Sequence, residues 1–260
     1  MVTETIKPLH DIKAVISGGA SGLGLATAQH IVAAGGQAAL LDVDVDRGRA
    51  AQHALGEGVR FIETDVTRET AVDAAVGEAV EALGSINLAV NCAGVAPAAR
   101  VLGKEGVMKT EEFSRVVTIN LVGTFCLVRA AADVMQHNAP WGPDGERGLI
   151  VNTASIAAFD GQVGQAHYAA SKAGIVGMTL PLARELARFG IRVMTIAPGL
   201  FRTPLFDDLP QKAVAALEAA TPFPPRLGRA DEFARLVCHL YQNPMFNGET
   251  VRLDGALRMG

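Results

Sequence analysis

Lys13-Ala-Val-Ile-Ser-Gly-Gly-Ala-Ser-Gly-Leu-Gly24 opens on a short apolar run, passes through a cluster of glycines and leads into Leu25–Ala34, which reads as a helix. A buried strand, a glycine turn and a helix, in that order, are the setting a dinucleotide fingerprint requires. Glycines let the backbone approach a pyrophosphate. The helix start adds free N–H groups and the positive end of the helix dipole. Ser17, Gly18, Ser21, Gly22, Leu23 and Gly24 are the candidate contacts. Taken alone, the cluster reads equally well as an ordinary tight turn.

The alternation continues outward from there. Gln37–Leu41 is a second strand, and Asp42 ends it 18 residues after Gly24. That spacing suits an acid holding the adenosine ribose hydroxyls. The same carboxylate repels a 2′-phosphate, Asp44 and Asp46 add to it, and the glycine turn carries no Arg or Lys. NAD is therefore expected over NADP. A helix cap or loop acid is the plainer reading of Asp42. A third strand, Val59–Thr64, ends at Asp65-Val66, which either hold an adenine or cap the helix that starts near Glu69. Ile86–Val90 is the fourth, followed by Asn91-Cys92-Ala93-Gly94, small enough to let a cofactor pass.

Val95–Lys109 reads as a loop, longer than most strand-to-helix connections. Its Arg100, Lys104 and Lys109 read as solvated charges. Thr110–Gln136 is helical; Asn120 within it is either a tolerated polar residue or a holder of water at a local break. After the loop Asn138–Arg147, Gly148–Thr153 forms the fifth strand and Ile191–Ala197 the sixth, ended by Pro198-Gly199. Leu200–Pro225, rich in Phe, Leu and Pro with a helical piece at Gln211–Ala219, is a candidate substrate lid or a docked helical excursion. A helix over Asp231–Gln242 and a strand over Glu249–Leu253 complete the chain. Strands alternating with helices, without linker or repeat, predict one α/β domain over residues 1–260: a doubly wound, seven-stranded parallel sheet of order 3-2-1-4-5-6-7 with helices on both faces. Ligands bind such sheets beyond the carboxyl ends of the strands, where the singled-out residues fall.

Tyr168-Ala-Ala-Ser-Lys172 lies thirteen residues beyond Ser155. Residues four apart share a helix face, so an ammonium stands one turn from a phenol. Lowering a phenol from ~10 by ~3 units needs roughly 4 kcal/mol. One cation at ~4 Å supplies about that at an effective dielectric of ~20, but only ~1 kcal/mol in bulk water. The pair makes a general base only in a partly dry cleft. A packed Tyr beside a solvated Lys is the bland alternative.

With 260 residues, 49% of them hydrophobic, the chain is large enough to bury such a sheet. A net charge of -4 without a basic run argues against nucleic acid as the main partner. Three scattered cysteines, Cys92, Cys126 and Cys238, and no metal-ligand spacing fit a reducing compartment without disulfides or a metal site. Met1–His10 is neither an apolar signal nor an Arg-rich transit segment, and no apolar run reads as membrane-spanning. A cytoplasmic protein without a membrane partner is expected, with the mitochondrial matrix as the alternative.

Together these features resemble the short-chain dehydrogenase/reductase family, from Lys13 to Gly255. The carriers are Ser17-Gly18-x-x-x-Gly22-x-Gly24, Asp65, Asn91-Cys92-Ala93-Gly94, Asn120, Ser155, Tyr168-x-x-x-Lys172 and Pro198-Gly199. Ser17 and Cys92 stand where Thr and Asn are usual. The resemblance implies a Rossmann fold binding NAD. Tyr168 would be the general acid/base, and Lys172 would lower its pKa and hold the nicotinamide ribose. Ser155 would hydrogen-bond the substrate oxygen, Asn120 would position a proton-relaying water, and Thr203 would hold the carboxamide. Pro198, Gly199 and Phe201 are further cofactor candidates; Gln165 and Leu205 are substrate candidates. A narrower resemblance rests on Ile150–Gln165, Gly177–Pro181, Arg192–Phe201, Pro222–Gly228 and Leu253–Met259. The members it points to oxidise 3-hydroxyacyl-CoA thioesters and other secondary alcohols, including steroids, with NAD, as homotetramers. Arg202 interrupts their Leu-Phe-Gly-Thr-Pro run. A dehydrogenase of steroids or other hydrophobic alcohols is the alternative enzyme, and a scaffold subunit of a larger complex the alternative class.

Overall fold

The seven sheet strands are β1 (Lys13–Ser17), β2 (Gln37–Asp42), β3 (Val59–Glu63), β4 (Leu88–Asn91), β5 (Gly148–Thr153), β6 (Ile191–Pro198) and β7 (Thr250–Leu253). All pair in parallel, in the spatial order 3-2-1-4-5-6-7. The computed structural model describes residues 6–104, 106–202 and 211–259.

Side chains alternate between the two faces of a strand, and the core divides accordingly. Ala14, Ile16 and Leu40 pack with Phe233, Val237 and Tyr241 of α8 (Ala230–Gln242), the helix after α7 (Gln211–Ala219), and with Ala28 and Ile31 of α1 (Gly22–Ala33). Val15, Ala39 and Leu41 face the opposite layer, with Val72 and Val76 of α3 (Glu69–Leu83), Leu127 and Ala131 of α5 (Gly123–Met135) and Ala183 of α6 (Ala166–Leu186). Such strands are continuous apolar runs because both faces are covered.

Four local features differ from the sequence reading. The loop after β4 contains a two-residue antiparallel hairpin, Leu102–Gly103 with Gly106–Val107, too short for an alternating pattern to reveal. Ser155 starts a short 3-10 turn, Ile156–Ala158. The helix after the hairpin is α4 (Thr110–Val117), a π-turn (Thr118–Val122) and then α5, so a break does lie at Asn120. Thr110–Met135 as a whole is long and apolar enough to cross a membrane, contrary to the sequence reading, although more than half of its most apolar stretch is buried within the protein. A sheet-covering helix needs the same composition as a lipid-facing one.

Candidate active site

The strand order reverses between β1 and β4, and a cleft of about 840 Å³ opens there at the carboxyl ends of the strands. Its floor is the glycine turn. Gly18 has φ +65°, and a Cβ on it would lie 2.7 Å from the Ala93 nitrogen; one on Gly24 would lie 2.2 Å from the Gly18 oxygen. No side chain fits at either position. Ser21 precedes α1 without a side-chain cap hydrogen bond, so the first-turn N–H groups point at the cleft uncommitted. This trough suits a pyrophosphate.

Asp42 borders the same cleft. Its Oδ2 accepts from the Ala20 N–H and its Oδ1 from the Asp44 N–H, both at 3.1 Å, which aims the carboxylate. The cap of α2 (Val45–Leu55) is Asp44, which accepts from Arg47, so the cap reading of Asp42 does not hold. Asp65 does not cap α3 either. It accepts from the Thr67 N–H at 2.9 Å and hydroxyl at 2.7 Å, an Asx turn ahead of the helix. Asp65 and Val66 both line the cleft, as do Gly22, Leu23, Cys92, Ala93, Gly94, Pro198, Gly199 and Phe201.

Ser17 and Asn91 do not reach the cleft. They are register partners on β1 and β4, and both are buried. The Ser17 hydroxyl donates to Asn91 Oδ1 at 3.4 Å, and Asn91 Nδ2 donates to Asn152 Oδ1 on β5 at 3.0 Å. Their side chains tie three strands together beneath the site. Thr203 and Leu205 lie outside the described residues.

Ser155, Gln165, Tyr168 and Lys172 line the cleft together, beyond β5 and on the first turns of α6. Ser155 Oγ accepts from the Ala157 N–H at 3.1 Å and stands close enough to the Tyr168 phenol to favour its charged form. Lys172 is buried; its Nζ donates to the Thr153 carbonyl at 2.8 Å and lies 5.8 Å from the Tyr168 ring centroid. Asn120 sits at the π-turn with no exposure, and its side chain is a joint. It accepts from the Val95 N–H at 2.8 Å and donates to the Val95 carbonyl at 2.9 Å and to Ser171 Oγ at 3.0 Å. Ser171 in turn donates to the Tyr168 carbonyl at 2.7 Å.

Electrostatics overturn one expectation. The Tyr168 phenol is raised above its ordinary value, not lowered: burial dominates, and the Ser155 hydrogen bond only partly opposes it. The dryness that would strengthen the ammonium's attraction penalises the phenolate more. It also penalises the ammonium, and burial brings Lys172 down to about 8 from an ordinary 10.5. Burial likewise lifts the Cys92 thiol to about 11, so it stays neutral.

The Lys172 shift has a consequence for stability. A lysine with a depressed folded-state pKa destabilises the fold fully below pH 8, and this is relieved as pH rises from about 8 to 10.5. The penalty is roughly 3 kcal/mol, against about 1 kcal/mol from the hydrogen bond to Thr153. Lys172→Met is therefore expected to unfold at higher denaturant at pH 7, by roughly 2 kcal/mol. That advantage should shrink between pH 8 and 10.5 in urea melts.

Three contributors were not singled out as site residues in sequence: Thr153, whose carbonyl anchors Lys172; Ser171, which joins Asn120 to the Tyr168 carbonyl; and Met259, a cleft-lining residue near the end of the chain. Only the spacing of Ser171, inside the Tyr168–Lys172 turn, could have drawn notice. Among the described residues, no group of three or more His, Cys, Asp or Glu is placed to hold a metal.

Residues 13–213 match the family model for short chain dehydrogenase. The chain is 52% identical over 256 residues to 3-hydroxyacyl-CoA dehydrogenase type-2 of Rattus norvegicus, covering 98% of each chain. It is 53% identical over 248 residues to the Homo sapiens protein of that name, covering 95% of each. The crystal structure of 3-hydroxyacyl-CoA dehydrogenase type-2 from Mycobacterium avium superimposes with a TM-score of 0.93 at 40% identity, over 98% of this chain and 99% of that one.

Proposed function

Because the chain belongs to the short chain dehydrogenase family and is an oxidoreductase of CH–OH groups, we propose that it transfers hydride between NAD and the carbinol carbon of a 3-hydroxyacyl-CoA. The observation that carries this is the convergence of Ser155, Tyr168 and Lys172 on one wall of the cleft whose floor is the side-chain-free glycine turn. The thioester substrate rests on relatives half-identical over nearly the whole chain.

When bound, the nicotinamide supplies the hydride acceptor and, oxidised, a positive charge. Gly18, Ser21–Gly24 and the uncapped start of α1 would hold the pyrophosphate, Asp42 the adenosine ribose, and Lys172 the nicotinamide ribose. Ser155 Oγ donates to the substrate oxygen and stabilises charge developing there. Tyr168 Oη takes the hydroxyl proton on oxidation and returns it on reduction. We assign the relay of that proton to a water at the π-turn around Asn120, a reading supported by the break in the helix at that residue. Leu200–Pro225 is assigned as the substrate lid; residues 203–210 of it lie outside the described residues, and the reading is supported by Leu200 and Phe201 at the cleft wall. NAD rather than NADP is favoured by Asp42, which has no ion-pair partner among the described residues. A homotetramer is supported by Phe113, Val122 and Phe125, exposed at 38%, 44% and 46% along α4, the π-turn and α5. The three free cysteines support a reducing compartment, the cytoplasm or alternatively the mitochondrial matrix.

The deciding experiment measures kcat/KM for acetoacetyl-CoA and for a hydroxysteroid, read as absorbance of the reduced nicotinamide. The thioester should be turned over more efficiently; negligible thioester turnover with brisk steroid turnover would replace the proposal. Run with both cofactors, the assay should favour NAD by at least about ten-fold, and Asp42→Ala should narrow that ratio.

A further inference from the structure

We propose that the C-terminal tail is a specificity wall of the substrate site, with Met259 limiting the bulk a substrate carries beside its reacting carbon. The proposal deepens the dehydrogenase reading and rests on it. Met259 lines the cleft although it follows the last strand by six residues. It gets there by a forced reversal. Gly255 and Ala256 have φ +58° and +66°, and Leu257 N–H closes the turn onto the Asp254 carbonyl at 3.0 Å. A non-glycine residue holds that backbone conformation only where its surroundings impose it.

Asp254 imposes it, accepting from the Ala256 N–H through Oδ1 at 3.0 Å, and Asp254 is itself held by Arg252. Its guanidinium donates to Asp254 Oδ2 at 2.7 Å, to Asp160 Oδ2 at 2.6 Å and to the Leu257 carbonyl at 3.0 Å, and lies over the Phe159 ring at 5.2 Å. One side chain thus fastens three things: the strand end, the tail, and the segment following Ser155. Asp254 is also in contact range of Gly199, where a Cβ would lie 2.9 Å from its Cα. These contacts fix which end of the cleft the tail enters. Ser155 and Pro198-Gly199 lie at the carboxyl ends of β5 and β6, whereas Asp42 and Asp65 lie at those of β2 and β3 across the strand reversal. Met259 therefore stands at the substrate end, away from the adenosine end. Leu257 is buried and acts as the tail's anchor, while Met259 is half-buried with its side chain available to a ligand. A thioether on an unbranched stem is an adaptable wall.

The test compares kcat/KM for two pairs of substrates, each a small and a large member: acetoacetyl-CoA with a long-chain 3-ketoacyl-CoA, and a small with a bulky cyclic ketone. In whichever pair the wild-type protein turns over, Met259→Ala should raise the large-to-small ratio about ten-fold or more, and Met259→Trp should lower it similarly. Arg252→Ala should shift the ratio as Met259→Ala does, and Arg252→Lys should restore part of it. Arg252 is a positioning residue, and a merely structural role would lower both members equally and leave the ratio unmoved. An unmoved ratio in both Met259 variants overturns the proposal. Failure of the thioester reading is seen separately, as absence of wild-type turnover on the first pair alone.

Discussion

Tyr168→Phe is expected to lower kcat/KM by about 10³-fold while leaving the fold intact, since positioned acid–base groups typically contribute 10²–10⁴-fold. The ring and its packing survive the change, and the Ser155 oxygen keeps its hydrogen bond from the Ala157 N–H. Only the proton carrier is lost. The raised phenol gives the wild-type profile its sign. Oxidation needs the phenolate and should accelerate as pH rises through the phenol's pKa; reduction needs the phenol and should slow over the same interval. Both limbs should vanish in the Phe variant. Steady-state rates in both directions across pH, with circular dichroism to confirm folding, test this. A variant retaining a tenth of wild-type activity with its pH dependence would remove Tyr168 from the proton-transfer role.

Glu146→Ala should destabilise the fold by about 3–5 kcal/mol, a fall in melting temperature of roughly 10 °C. Glu146 Oε1 accepts from Lys7 Nζ at 3.0 Å and from the Arg192 guanidinium at 3.1 Å, and all three residues are buried. The two cations differ in what they can do once the carboxylate is gone. Burial already pulls the Lys7 pKa down, so its ammonium can shed a proton. Arg192 cannot. It keeps carbonyl acceptors on Leu240, Tyr241, Asn243 and Phe246, but a buried positive charge without a counter-ion is left at the end of α8. Glu146→Gln, which keeps an acceptor oxygen and drops the charge, should fall between. Activity at temperatures well below the transition should change little, because the cluster lies at the opposite ends of the strands from the cleft. Denaturant melts showing less than about 1 kcal/mol would mean that water or relaxation screens these charges.

The strand–turn–helix of residues 13–33 and the position of Asp42 were legible because each depends on local periodicity and on glycine, and the sheet order because alternating strands and helices wind in few ways. Tyr168 and Lys172 were legible because a helix places residues four apart on one face wherever it packs. What the chain meets across long separations was not. Ser17 and Asn91 belong to the right motifs, but the pairing of β1 with β4 turns their side chains toward each other and away from the cleft. Asn120 proved to be a joint because Val95 and Ser171, 25 and 51 residues away, use both ends of its amide. The direction of the Tyr168 shift also required the fold. Spacing brings the ammonium near, whereas burial, which no spacing encodes, decides whether attraction or desolvation prevails. Lys7, Glu146 and Arg192, and the passage of Met259 into the cleft, belong to the same class. By itself the sequence determined the elements, their order and the chemistry available at the strand ends. The tertiary structure alone decided which of those groups face the ligand, which brace it from beneath, and which charges the interior suppresses, because those outcomes depend on solvent exclusion by distant parts of the chain.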